Sequence, residues 1–227
     1  MTPGSLFVIS TPIGNLDDIT YRAVKILNDV DYVVCEDTRV TKRLFDKYDI
    51  DVKMITQNEY NENKKIDSIS KLLVDGANLA LVTDAGTPCI SDPGYRLISN
   101  IKKEYPDIKV IPVPGPSAVI SSLSISGLPS DCFYFIGFLP KKKGRQKKLE
   151  EISFFEGSII IYESPKRVLK TIKDLFNILG NRKVFIAREM TKIYEQTFYT
   201  NLQSVSSGKI ILKEKGEYVI VVAKAGY

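Results

Sequence analysis

Leu79-Ala80-Leu81-Val82-Thr83-Asp84-Ala85-Gly86-Thr87-Pro88 joins a short apolar run to a loop rich in glycine and proline. The loop continues to Ser91-Asp92-Pro93-Gly94, and residues 11–16, 36–39 and 114–118 follow apolar runs in the same way. In an open parallel sheet, ligands bind where the carboxyl ends of the strands open into loops. Glycine there lets the backbone approach a ligand closely. The sequence therefore predicts an α/β enzyme with a small-molecule site built from loops.

Strand and helix patterns alternate along most of the chain, which indicates βαβ units. The first half contains five predicted strands: Leu6–Ile9, Tyr32–Cys35, Met54–Ile55, Leu79–Val82 and Val110–Val113. The second half contains three predicted strands, Phe133–Gly137, Ile159–Tyr162 and Val184–Ala187. Helices are predicted near residues 19–28, 41–48, 65–74, 95–104, 117–126, 146–155 and 167–179. Apolar runs at Ile193–Tyr199, Ile210–Leu212 and Tyr218–Val222, with glycines between them, predict antiparallel hairpins at the end.

Three prolines, Pro112, Pro114 and Pro116, make a stiff joint after the fifth predicted strand. We place the domain boundary there. The prediction is an N-terminal α/β domain at residues 1–114 and a C-terminal α/β domain with antiparallel end strands at residues 115–227.

Composition excludes several classes of site. The chain contains no histidine, which rules out a Ser-His-Asp triad and a histidine-ligated metal. Cys35, Cys89 and Cys132 form no Cys-x-x-Cys pair, so we predict no metal site and expect reduced thiols in a cytoplasm. The sequence shows no pattern of a secretory leader and no run of the length of a membrane span.

Positive charge is concentrated in one short segment. The net charge is +5, yet six basic residues lie within residues 141–148, so the rest of the chain is close to neutral. These residues are Lys141, Lys142, Lys143, Arg145, Lys147 and Lys148. Such a run suits contact with a phosphate backbone, and a solvated helix start explains it equally well.

Several charged residues follow predicted strands, and each has a structural explanation as well as a functional one. Glu36 and Asp37 suit a base in a cleft, or the capping of the next helix. Asp84 is placed to accept a hydrogen bond from a ribose, and its loop suits an adenosine cradle or a tight structural turn. This loop matches neither a dinucleotide fingerprint nor a Walker A motif. Arg188 and Lys192 suit a charged site or a surface ion pair.

Seven motifs together resemble one family. In chain order they are residues 8–16, 35–39, 83–94, 112–118, Gly137-Phe138-Leu139-Pro140, Tyr162-Glu163-Ser164-Pro165 and 188–192. The chain thereby resembles the small-subunit ribosomal RNA methyltransferase I branch of the tetrapyrrole methylase superfamily over nearly its whole length. Glu36-Asp37-Thr38-Arg39 and Gly137-Phe138-Leu139-Pro140 are specific to that branch, and Thr87 stands where tetrapyrrole-modifying relatives usually have aspartate.

The resemblance implies two α/β domains with S-adenosylmethionine in the cleft between them, and a homodimer. It implies 2′-O-methylation of a cytidine in the decoding region of small-subunit ribosomal RNA. The residues implied to bind the cofactor are Gly86, Thr87, Pro88, Ile90, Ser117, Ala118, Tyr162 and Ala187. In two respects the chain departs from the family: residues 57–62 carry no histidine, and the sequence ends at Tyr227 where many members extend further. That second departure predicts weaker RNA binding or a different substrate.

A ribose hydroxyl is a poor nucleophile until its proton leaves, so a carboxylate or a neutral lysine is needed nearby. Asp37 or Glu36 is the predicted proton acceptor, and Lys192 is the predicted base or electrostatic aid. Arg39 and Arg188 are predicted to hold phosphate. Two alternatives remain open: a methyltransferase acting on a tetrapyrrole precursor, and a non-catalytic RNA-binding module.

Overall fold

The computed structural model describes residues 2–58 and 61–227, with the backbone alone at residues 62 and 63. Residues 59 and 60, within the segment where family members often carry histidine, lie outside the described residues. Two compact units make up the chain, Met1–Ser117 and Ala118–Tyr227. The division predicted after residue 114 stays a prediction.

The first unit is built on a parallel sheet of five strands in the order β3-β2-β4-β1-β5. The strands are β1 (Ser5–Ile9), β2 (Tyr32–Cys35), β3 (Lys53–Thr56), β4 (Leu79–Leu81) and β5 (Lys109–Val113). The helices are α1 (Tyr21–Asp29), α2 (Thr38–Lys47), α3 (Glu62–Val74) and α4 (Tyr95–Glu104). All five predicted strands are confirmed, and their bounds shift by at most one residue.

Buried side chains cover both faces of this sheet. On one face, Ile9 and Val33 pack with Leu27 of α1 and Phe45 of α2. On the other face, helices α3 and α4 bury Ile69, Leu73, Leu97 and Ile101 against the strands. The unit is therefore a sheet with helices on both faces, and its short strands read as continuous apolar runs for that reason.

The strand order creates a topological switch point between β1 and β4. After β1 the chain runs toward one edge of the sheet, to β2. After β4 it runs toward the opposite edge, to β5. Ligands of open α/β sheets bind outside the carboxyl ends of the strands at such a point. The loops that follow β1 and β4 contain Thr11 and Gly86, so the sequence motifs lie at this edge.

The second unit holds a mixed sheet in the order β6-β7-β10-β8-β9, in which only β6 and β7 are parallel. Its strands are β6 (Phe133–Phe138), β7 (Ser158–Glu163), β8 (Lys183–Arg188), β9 (Gln196–Asn201) and β10 (Tyr218–Val222). Its helices are α5 (Ala118–Ile125), α6 (Arg145–Ser153), α7 (Val168–Leu179) and α8 (Leu202–Ser206). The predicted antiparallel end is confirmed for β8 with β9 and for β10.

One part of the predicted hairpin region is wrong. Residues 210–212 form no strand, and α8, which the sequence reading missed, precedes them. Strand β10 pairs with β7 on one side and with β8 on the other, so no open edge beside it remains for the preceding segment. Ile210 packs against the core of the unit as loop, while Ile211 is exposed.

Candidate functional site

Three strand-end loops of the first unit are tied together by hydrogen bonds. Thr11 and Gly86 form an antiparallel bridge, with N–H to carbonyl distances of 2.9 and 3.0 Å. The Ser10 hydroxyl lies 3.0 Å from the Thr87 hydroxyl. The Thr87 hydroxyl donates a hydrogen bond to the Pro116 carbonyl oxygen at 3.2 Å. Thr87 therefore links the loops after β1, β4 and β5 through one hydroxyl group.

Gly86 shapes this junction. Its φ of +87° lies in the left-handed region, where a side chain is strained. Its N–H and carbonyl are both used by Thr11, and an added Cβ would lie 3.4 Å from Cγ2 of Ile13. A substitution at Gly86 would thus distort the loop itself, and Thr87 offers a cleaner test of the site.

The remaining predicted cofactor residues fall into two groups, one in each unit. In the first unit, Ser117 follows the proline-rich loop, Pro88 is buried and Ile90 exposes 47% of its surface. The Ile90 backbone N–H donates to the Thr87 carbonyl at 3.4 Å, so an exposed apolar residue follows Thr87 in the same turn. In the second unit, the predicted cofactor residues are Ala118, Tyr162 and Ala187. Ala118 starts α5, Tyr162 is half-buried at the end of β7, and Ala187 is buried in β8.

Asp37 is held as a helix cap. Its carboxylate accepts the backbone N–H of Arg39 at 2.9 Å, and the Arg39 guanidinium donates to both of its oxygens at 2.5 to 3.1 Å. These bonds from Arg39 lower the pKa of Asp37 to about 2. A carboxylate so strongly stabilised as the anion accepts a proton poorly, which argues against Asp37 as the base, and that role stays a prediction. Arg39 is held in this ion pair with Asp37, although the Arg39 side chain is 87% exposed.

Asp84 is the carboxylate at this edge whose environment favours proton transfer. One oxygen, Oδ1, accepts the backbone N–H of Asp37 at 3.2 Å. Burial first, and then the nearby charge of Asp37, raises the pKa of Asp84 although that hydrogen bond opposes the change. Glu36 lies on the neighbouring loop, where Oε2 accepts the Thr83 hydroxyl at 3.2 Å. Sequence reading assigned catalysis to Glu36 and Asp37 because adjacent carboxylates stand out, whereas Asp84 is a single residue before a glycine loop.

Lys192 is an ion-paired cation. Its ammonium donates to Oε2 of Glu217 at 2.7 Å and to Oε1 of Glu189 at 3.2 Å. Burial works to lower its pKa, but the two carboxylates outweigh that effect and raise it. A base must be neutral before it takes a proton, so this ion pairing argues against Lys192 as a base, and its catalytic role stays a prediction.

Arg188 is buried and serves the structure of its unit. Its guanidinium donates to the carbonyl oxygens of Lys215 at 2.6 Å and Tyr194 at 3.2 Å, and to Oε1 of Gln196 at 3.1 Å. Only 5% of the residue is exposed. The prediction that Arg188 holds phosphate is therefore wrong.

Arg145 is likewise buried, although it lies within the basic run. Its guanidinium donates to Oδ2 of Asp174 at 2.9 Å, to the Thr171 hydroxyl at 2.9 Å and to the Pro140 carbonyl at 3.2 Å. Thr171 in turn donates to Oε2 of Glu163 at 2.6 Å. The prediction of Arg145 as an RNA contact is wrong, because these partners use its donors inside the unit.

Four lysines of the run remain on the surface. Lys141, Lys142, Lys143 and Lys147 are exposed and form no ion pair within residues 2–58 and 61–227. Lys148 instead donates to Oε1 of Glu151 at 2.8 Å and to the Tyr134 hydroxyl at 2.7 Å. Four of the six predicted charges are therefore open to a ligand.

The described residues hold neither a cluster suited to a metal ion nor a helix suited to crossing a membrane. No group of three or more cysteine, aspartate or glutamate side chains among them is arranged to hold a metal ion. None of the helices in the part of the chain that the structure describes has the length and apolar character to cross a membrane.

Comparison with known proteins gives consistent relatives. Residues 5–206 match the family described as Tetrapyrrole (Corrin/Porphyrin) Methylases. Ribosomal RNA small subunit methyltransferase I of Thermotoga maritima is 44% identical over 97% of this chain and 98% of its own length. The protein of that name from Halalkalibacterium halodurans is 43% identical over 98% of this chain and 77% of its own length.

The fold has solved counterparts as well. Uroporphyrin-III C-methyl transferase from Thermus thermophilus, complexed with S-adenosyl homocysteine, matches with a TM-score of 0.66 at 15% identity. The match covers 96% of this chain and 97% of that one. At this identity the likeness shows the shared fold alone.

Proposed function

The chain belongs to the tetrapyrrole methylase family and, within it, to the ribosomal RNA small subunit methyltransferase I branch, and we propose from this that it methylates small-subunit ribosomal RNA. The observation that carries the proposal is the similarity to that branch, at 43% and 44% identity over 98% and 97% of the chain. The methyl donor is S-adenosylmethionine, in keeping with the S-adenosyl homocysteine held by a protein of the same fold. In detail, we propose the 2′ oxygen of a cytidine in the decoding region as the acceptor.

S-adenosylmethionine supplies an electrophilic methyl group on a sulfonium, and the chain has to position it and to remove a proton. Thr87, Ile90 and Ser117 would hold the cofactor at the switch point of the first unit. Asp84 would accept the proton of the ribose hydroxyl, because its raised pKa makes it a stronger base than Asp37. Glu36, on the loop after the neighbouring strand β2, is the second candidate for this step.

Further parts of the proposal concern the second unit and the assembly. Ala118, Tyr162 and Ala187 would complete the cofactor site, and Lys192 would contribute positive charge. We propose that the protein acts as a homodimer in the cytoplasm and that its two domains meet after residue 114. The basic run supports a polyanionic substrate, because a small tetrapyrrole precursor gives no reason for four exposed lysines on one loop and the helix that follows it.

Methyl transfer from labelled S-adenosylmethionine distinguishes the candidate functions. We expect label in isolated small ribosomal subunits, at a nucleotide whose 3′ linkage resists alkaline cleavage because its 2′ oxygen is blocked. Tetrapyrrole precursors should stay unlabelled. Label in a tetrapyrrole and none in the subunit would refute the proposal, and tight RNA binding with no transfer to either would favour the non-catalytic module.

Replacement of Thr87 by valine should weaken cofactor binding. Valine keeps the shape but loses the hydroxyl that joins Ser10 to Pro116, so the three loops are held less firmly. A hydrogen bond of this kind contributes about 1 kcal/mol, so we expect the Kd for S-adenosylmethionine to rise about five- to tenfold by calorimetry. Ser124→Ala, on the exposed side of α5, is the matched control and should bind normally. Equal affinity in wild type and Thr87→Val would remove Thr87 from the site.

A further inference from the structure

Two carboxylates of the second unit, Asp174 and Glu163, are neutralised by arginines of the same unit. Asp174 is bound by Arg145, and the buried carboxylate of Glu163 accepts hydrogen bonds from Thr171 and forms an ion pair with Arg167 at 3.2 Å. Each of these two arginines thus balances one acid. Among the described residues, Lys148 of the basic run pairs with Glu151, whereas the exposed lysines of the run form no ion pair.

The same network joins two elements that carry lysines. Arg145, the first residue of α6, contacts Thr171 and Asp174 of α7, and Arg167 donates to the Leu139 carbonyl at 2.5 Å. The loop of Lys141, Lys142 and Lys143 begins directly after Pro140, whose carbonyl Arg145 also binds. The start of α6 and the start of α7 therefore lie side by side.

A second set of lysines lies next to this junction, one in the turn before α7 and two on α7. Lys166 lies in the turn, and Lys170 and Lys173 follow on the helix at a spacing of four and then three residues, which continues one side of α7. All three are exposed and form no ion pair within the described chain. Each of these lysines directly precedes one residue of the buried network, which consists of Arg167, Thr171 and Asp174. The lysines therefore flank that network. Both helices also begin here, and their N-termini add partial positive charge.

We propose that the exposed lysines of the loop, α6 and α7 form one phosphate-binding surface for ribosomal RNA. Its members are Lys141, Lys142, Lys143, Lys147, Lys166, Lys170 and Lys173. The partner is a nucleic-acid backbone, because seven exposed lysines spread over the loop, α6 and the start of α7 match a chain of phosphates and exceed what one small anion needs. The proposal rests on the proposed function and adds α7 to the RNA contact.

The test measures how RNA affinity depends on salt. Lys166, Lys170 and Lys173 are replaced together by glutamine, and binding to small-subunit ribosomal RNA transcribed in vitro is titrated from low to high salt. Each phosphate contact contributes roughly 0.7 to the slope of log affinity against log salt, so the slope should fall by about 2 and the affinity by about 100-fold at 0.1 M. Lys102, Lys103 and Lys109, exposed lysines of the first unit, replaced in the same way, provide the matched control.

The proposal holds if the slope of log affinity against log salt becomes smaller in the variant of Lys166, Lys170 and Lys173, and does not change in the control variant. It also requires a normal Kd for S-adenosylmethionine, since the lysines lie outside the strand-end loops. A slope unchanged in the variant of Lys166, Lys170 and Lys173, or reduced equally in both variants, overturns it. Methyl transfer by the wild-type protein is scored separately, so that failure of the surface and failure of the proposed function give different results.

Discussion

Asp84→Asn should lower methyl transfer by about 100-fold or more while leaving the affinity for S-adenosylmethionine unchanged. Asparagine retains an oxygen that accepts the backbone N–H of Asp37, so the loop keeps the bond seen at 3.2 Å. What it loses is the ability to take a proton from the ribose hydroxyl. An effect confined to turnover is the pattern expected for a group that acts in the transition state.

The pH dependence sharpens this prediction. Burial raises the pKa of Asp84, and a base works only in its deprotonated form. Turnover of the wild-type protein should therefore fall on acidification at a pH above the usual aspartate range near 4, and Asp84→Asn should lack that limb. Asp84→Glu, which restores a carboxylate, should recover part of the activity.

Asp37→Asn provides the comparison that decides between the carboxylates. Asp37 is already committed to Arg39 and caps α2, so its loss should affect the helix more than the chemistry. If Glu36→Gln abolishes turnover while Asp84→Asn retains it, the base is Glu36 and the assignment of Asp84 fails.

The fold could be predicted largely from the sequence because its strands are buried on both faces. Tyr32–Cys35 reads as an apolar run before polar residues and Val110–Val113 as one before Pro114, and they form β2 and β5. Residues 210–212 have the same apolar character and form a loop. The difference lies in the partners of β10, which are set by strand order and leave no trace in a local pattern.

The site was less predictable, since residue type does not reveal what a side chain contacts. Arg145 and Lys147 stand two positions apart in one basic run, yet Arg145 is buried and Lys147 is exposed. An arginine can satisfy five donors in a planar fork, so it suits a buried network, whereas a lysine stays with water. An arginine inside a lysine run was the available signal for a structural role. For Lys192 the local sequence showed only Glu189, three residues away, and not its second partner Glu217, which is 25 residues away.

Arg145→Met should destabilise the second unit by about 3 kcal/mol, because it leaves Asp174 half-buried without its partner. This loss in the free energy of unfolding is at the lower end of the range for a broken buried ion pair, because the Asp174 side chain is 26% exposed. The Pro140 carbonyl and the Thr171 hydroxyl also lose a donor. Urea unfolding measures the change, and Lys147→Met, an exposed lysine on the same helix, should leave the free energy of unfolding nearly unchanged.

A double variant separates the two readings of this arginine. If Arg145 is a structural ion-pair partner, Arg145→Met with Asp174→Leu should recover much of the lost stability, because no unpaired carboxylate remains. RNA binding by the double variant should then keep the salt slope of the wild-type protein, since the surface lysines are untouched. Wild-type stability in Arg145→Met, together with a smaller salt slope, would show instead that Arg145 faces RNA and that the buried network contributes little to the fold.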